Sequence, residues 1–175
     1  MRIRRYFFFG LVIFVTVVVL SLLSWLPSAV QRKGIREYRS IEDVKSELRI
    51  KKIFLPAYFP HYLVWPPSEI YAARKPYTIV LMHFTNFQKT DIVLSIRQSE
   101  LSDHAPLRSR IEPVTVKKRE QVVIKGRKCL LSVALCRGGE PCNSVSWDED
   151  GFNVEIVAKD SVEELLKIAE STASD

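Results

Sequence analysis

The stretch that most limits what this chain can become is an uncharged run from Tyr6 to Gln31, preceded by Arg2, Arg4 and Arg5. Its apolar part, Tyr6 to Leu26, holds 21 residues. As a helix it would rise about 31 Å, the thickness of a bilayer's hydrocarbon core. Tyr6 and Trp25 fall at the two ends, where amphipathic rings settle at a membrane interface, and Pro27 supplies a stop. This pattern predicts one N-terminal transmembrane helix, with residues 1–30 as a membrane anchor. A cleaved secretory signal would carry a shorter apolar region of about 7–15 residues and a small-x-small cut site. Cleavage after Ala29 would put Pro27 at the third position back, a poor fit, so the anchor is expected to be retained. No lipidation cysteine stands near the segment.

Orientation is set by competing charges. Arg2, Arg4 and Arg5 favour a cytoplasmic N-terminus, whereas Arg32, Lys33, Arg36 and Arg39 pull the other way. A five-residue tail is the easy end to leave inside, and the cysteines suit an oxidising compartment. The expected location is the cell inner membrane, single-pass, with the C-terminal domain extracytoplasmic. Residues 31–39 form a basic juxtamembrane linker suited to anionic headgroups, and residues 40–175 form one domain with a single core. Net charge is +6, but without the three N-terminal arginines 23 basic residues face 20 acidic ones. With no Arg/Lys-rich helix and no recognisable motif, nucleic acid is excluded as a partner. The anchor makes membrane lipid the first expected partner.

Within the domain, Ser40 opens a helix with a capping-box-like start in which Asp43 replaces the usual Glu, and Ile41, Val44 and Leu48 share one stripe. A short strand at 52–55 leads into a segment whose prolines at 56, 60, 66, 67 and 76 exclude a long helix and break a strand ladder. Strands follow at 77–84, 91–98, 113–118, 120–125, 128–136, 144–147 and 152–158. A last helix is capped by Asp160, with Glu163 completing the box, and Val162, Leu165, Leu166 and Ala169 form its apolar stripe. The expected fold is α+β: one transmembrane helix, then a curved antiparallel sheet of six to eight strands with a helix at each end.

Two patterns carry a family resemblance. One is the Pro-x-Tyr-x-Pro turn in LPAYFPHYL (55–63). The other is the ending in which Trp147 and Gly151 precede FNVEI, followed by SVEELLKIAES (161–171). Together they resemble the extracytoplasmic domain of unknown function at the C-terminus of bacterial anti-sigma-factor-like membrane proteins, over residues 50–171. The resemblance implies the lipoprotein-carrier-like fold, a bent sheet with the terminal helix on its concave side, and it brings no catalytic residues. It departs from the anti-sigma type because five residues before the anchor are too few for a cytosolic sigma-binding domain.

The chemistry-bearing residues do not assemble into a catalytic pattern. His61, His83 and His104 are widely spaced, and there is no His-Glu-x-x-His, no Gly-x-Ser-x-Gly and no phosphate loop after Gly138-Gly139. Asp148, Glu149 and Asp150 lack the acid spacing of a calcium loop. No cofactor or metal is expected, and the alternative of an envelope enzyme of unrecognised type has no residues to name. Cys136 and Cys142 flank a turn and form the candidate disulfide; Cys129, in the most apolar strand, is expected to be a buried free thiol. Tyr58, Phe59, Tyr62 and Trp65, large rings on a proline-stiffened segment, form the candidate binding lip. Lys117, Lys118 and Arg119, with Lys125, Arg127 and Lys128 after them, suit phospholipid, an acidic partner or simply a charged sheet face. The expected function is a membrane-anchored, non-catalytic cell-envelope module that binds a partner protein or a lipophilic ligand.

Overall fold

Hydrophobic alternation builds an eight-stranded antiparallel sheet. The structure, a computed structural model, describes residues 14–21, 34–100, 107 and 109–174. The chain divides into two compact units, Met1–Ile35 and Arg36–Asp175. In the first, residues 14–21 form helix α1. The expected transmembrane helix is corrected here: among the described residues no helix is long and apolar enough to cross a membrane. The rest of the predicted anchor, residues 1–13 and 22–30, lies outside the described residues.

The second unit runs β1 (Arg36–Tyr38), α2 (Ile41–Leu48), β2 (Phe54–Pro56), β3 (Glu69–Ala73), β4 (Ile79–Thr85), β5 (Ile92–Ser99), β6 (Thr115–Ile124), β7 (Arg127–Leu135), β8 (Asn143–Glu149), β9 (Phe152–Ala158), α3 (Val162–Ser171) and β10 (Thr172–Ser174). The main sheet has the order β1-β3-β4-β5-β9-β8-β7-β6, and β2 pairs with β10 in a two-stranded sheet. Helices therefore do not close both ends of the fold, because β1 precedes α2 and β10 follows α3. Strand β1 is built from the end of the basic segment, with Glu37 opposite Tyr71 and Tyr38 opposite Ile70. The predicted strands 113–118 and 120–125 are one strand, β6, whose polar middle is interrupted only by a bulge between Val116 and Lys118. An edge strand needs no apolar alternation, so its sequence reads as a break. Hairpin turns with positive φ at Lys125–Gly126 and at Asp150–Gly151 join β6 to β7 and β8 to β9.

Alternate residues of each central strand form the core. Met82 and Phe84, Leu94 and Ile96, Val145 and Trp147, and Val154 and Ile156 are all buried on the face that meets α3, whose Leu165, Ile168 and Ala169 are buried against it. On the second face, Ile111, which lies between β5 and β6, is buried with Val157 and Cys142. Double coverage explains why β4 is buried almost throughout and alternates only loosely in sequence.

Both long helices of this unit are capped by serine. Ser40 Oγ accepts from Asp43 N at 3.0 Å, as the sequence predicts. In α3 the cap is Ser161, whose Oγ accepts from Glu164 N at 3.2 Å, one residue beyond the expected Asp160. The Asp160 carboxylate is occupied instead by the Tyr62 hydroxyl and the Ser161 N–H.

Candidate functional site

The proline-rich segment is folded onto two supports. Against α3, Ala57 N donates to Ser171 O at 3.2 Å and Tyr58 N to Ser171 Oγ at 3.0 Å. Against the β4–β5 hairpin, Val64 N donates to Thr85 O at 3.0 Å, Phe87 N to Tyr62 O at 3.1 Å and Ser68 N to His83 O at 2.8 Å. The donors that prolines remove from a ladder are thus replaced by bonds at both ends of the segment.

The four predicted lip residues come together but do different things. Tyr58 donates to Glu164 and Tyr62 to Asp160, so both hydroxyls end on carboxylates at the start of α3. Accepting from Tyr58, and then from Lys167, holds the Glu164 carboxyl below its usual range. Burial first, then the bond to Asp160, pushes the Tyr62 phenol far above its usual value. Phe59 packs inward, 5.3 Å from the Phe84 ring. Trp65 stacks outside both, 5.2 Å from Phe59 and 6.1 Å from Phe84 between centroids, and remains 53% exposed. The adjoining turn adds Phe87, 67% exposed, a ring that sequence inspection missed because it is isolated among polar turn residues.

Among the described residues, the space behind these rings is packed. Leu165, Ile168 and Ala169 fill the space between α3 and the sheet. Two cavities of about 410 and about 360 Å³ lie elsewhere, sharing Arg110 and Lys159, and no lip residue lines them. The two basic residues they share are already paired: Arg110 bonds Glu69 at 2.8 Å, and Lys159 bonds Asp91 at 2.7 Å and Glu140 at 3.4 Å.

The remaining candidates separate clearly. His83 is 1% exposed, and burial, then the Arg110 charge, lowers its pKa to about 4. Register sets Glu69, His83 and Ser95 side by side across β3, β4 and β5, a Ser/His/Glu row invisible without the pairing. No hydrogen bond joins them, and His83 Nδ1 and Ser95 Oγ have no partner, so the row lacks the nucleophile–base contact of a triad. His61 lies against the Tyr62 ring at 5.9 Å, and His104 falls outside the described residues. The acidic turn is engaged structurally: Asp148 accepts from Asn153 at 2.9 Å, Glu149 from Trp147 Nε1 at 2.8 Å, and Asp150 from Lys52 at 2.6 Å. Among the described residues no cluster of His, Cys, Asp and Glu is arranged to hold a metal ion.

The Cys136 and Cys142 sulfurs lie at disulfide distance, with Cα atoms 5.1 Å apart, and Cys129 is a buried free thiol. Ala134 O accepts from Cys142 N at 2.9 Å and Gly139 takes a φ of 83°, so a glycine turn brings the two ends together. No protein-family model, no curated protein and no solved structure matches this chain.

Proposed function

We propose that residues 36–175 form a non-catalytic binding module of the cell envelope, which docks a partner protein through the outer part of the aromatic lip. The observation that carries this is Trp65. It is half exposed although packed against two inner rings, and the segment bearing it is tied to α3 and to the β4–β5 hairpin. A large ring held in place before binding loses little entropy on docking, and tryptophan is the commonest anchor of such interfaces. Phe87, whose N–H bonds Tyr62 O, adds a second exposed ring on the adjoining turn. A protein partner is favoured over a lipophilic ligand because α3 occupies the space between helix and sheet where such a ligand would sit. The cell-envelope location is supported by Cys136 and Cys142, whose bridge would persist outside the reducing cytoplasm.

A photoreactive phenylalanine analogue at position 65 or 87 tests this in living cells. Both positions should capture one and the same protein, and position 42, exposed on α2, should not. Trp65→Ala should abolish capture from position 87 while lowering stability by no more than about 1.5 kcal/mol, since only half of the ring is buried. Capture spread over many proteins, or capture unaffected by Trp65→Ala, would refute the docking role.

A further inference from the structure

The outermost strand, β6, lies five strands away from β4 and, among the described residues, pairs only with β7. Residues Thr115–Arg119 are exposed on both faces, so among the described residues nothing covers this end of the sheet. The bulge leaves Lys117 unpaired in register, and the regular ladder runs from Lys118 to Ile124. Lys118 meets Glu120 at 2.6 Å, while Lys117 and Arg119 have no ion-pair partner among the described residues. On the face away from the core, Arg119, Gln121 and Val123 stand in line, and Val123 is 72% exposed.

We propose that the outer edge of β6 is a docking edge for an acidic, extended segment of a partner protein, added to the sheet as a further antiparallel strand. An unpaired edge offers a row of free N–H and C=O groups, which gives affinity but little selectivity. Selectivity comes from charge. A second copy of β6, paired antiparallel along the whole strand, sets Lys117, Lys118 and Arg119 opposite Val122, Gln121 and Glu120, so only one of the three basic side chains meets an acid. An acidic strand meets the opposite field. The same basic run thus selects the partner of this edge. Register then specifies a pattern. In an antiparallel partner, the residues opposite Arg119, Lys118 and Lys117 are consecutive and acidic. The one opposite Val123 lies four residues before them and is apolar.

The probe is the capped peptide Ac-Val-Thr-Val-Thr-Glu-Glu-Glu-NH2, added to the full chain and followed by amide hydrogen exchange. It should slow exchange within residues 117–124 and leave the lip unchanged. The same peptide N-methylated at alternate residues keeps its charge but cannot form the ladder, and should bind at least about tenfold more weakly. Lys117→Glu, Lys118→Glu and Arg119→Glu together should abolish protection without shifting the melting midpoint, since all three side chains are exposed. Equal binding of the two peptides would reduce the edge to a charge patch and overturn the proposal. So would protection by a Lys-for-Glu peptide, or protection by vesicles of phosphatidylglycerol and phosphatidylcholine where the acidic peptide gives none.

Discussion

Tyr58 and Tyr62 sit within one proline-rich turn, yet each ends on a carboxylate 106 and 98 residues away in sequence. That a ring belonged on this segment was readable from residue type and proline spacing. That two of the four rings serve as pins, leaving Trp65 as the exposed one, was not, because a partner so distant leaves no local pattern. His83 makes the same point. Its position in a strand was plain, but its burial depends on what packs over the second face, where Arg110 comes close enough for its charge to act on the imidazole. This burial has a measurable consequence. The folded pKa is about 4 against an ordinary 6.5, so between those values the unfolded chain binds the extra proton. Stability is full above the upper value and falls as pH drops through the window, by on the order of 3 kcal/mol for this one group. Urea midpoints measured across that window should therefore fall more steeply for the native chain than for His83→Gln. Parallel slopes would mean that His83 is solvated.

Helix α3 shows how an element is completed from outside itself. It has acidic residues in its first turn but no basic residue in its last, so its C-terminal carbonyls lack local cationic compensation. Arg127, at the start of β7, supplies it. Its guanidinium donates to Ala169 O at 3.0 Å, to Thr172 O at 3.1 Å and to Glu149 at 3.1 Å, and lies 4.9 Å over the Trp147 ring. The sequence shows Arg127 only as one of several basic residues near a hairpin, and grouping it with Lys117, Lys118 and Arg119 hides its separate role. Arg127→Ala should cost about 1.5–3 kcal/mol, the range for hydrogen bonds to a charged group, whereas Lys128→Ala should stay within about 0.5 kcal/mol. Chemical denaturation of the two variants separates them. Hydrogen exchange should also quicken first in the last turn of α3 and in β10. Gln98 acts in the same way at the other side. It is fully buried, accepting from Phe54 N at 3.0 Å and donating to Lys52 O at 2.8 Å, and so docks β2 onto the main sheet. Periodicity marks such elements, but only the folded chain shows what fastens them.

At the scale of the whole molecule, the boundary between the two units is where sequence and structure part most. Composition places it at residue 40, after a basic stretch that resembles a linker. The structure places it after Ile35, because Arg36–Tyr38 pair with Ala72, Tyr71 and Ile70 and bury Tyr38. Three residues are too few to show a strand period, and their charges point toward a membrane surface or solvent. The pairing is decided by β3, whose outer edge would otherwise stay open beside the core. A specific outcome follows for truncated chains. A chain beginning at Gly34 retains every strand of the main sheet and all of the core, and should melt within about 2 °C of the full chain. A chain beginning at Ser40 loses the β1 ladder and exposes apolar surface covered by Tyr38. It should lose about 2 kcal/mol, equivalent to roughly 6–8 °C for a domain of this size. If both chains melt together, β1 contributes nothing and the composition boundary is the physical one. If the chain from Gly34 fails to fold while the full chain folds, the core of residues 36–175 is not self-sufficient, and the two units stand or fall as one.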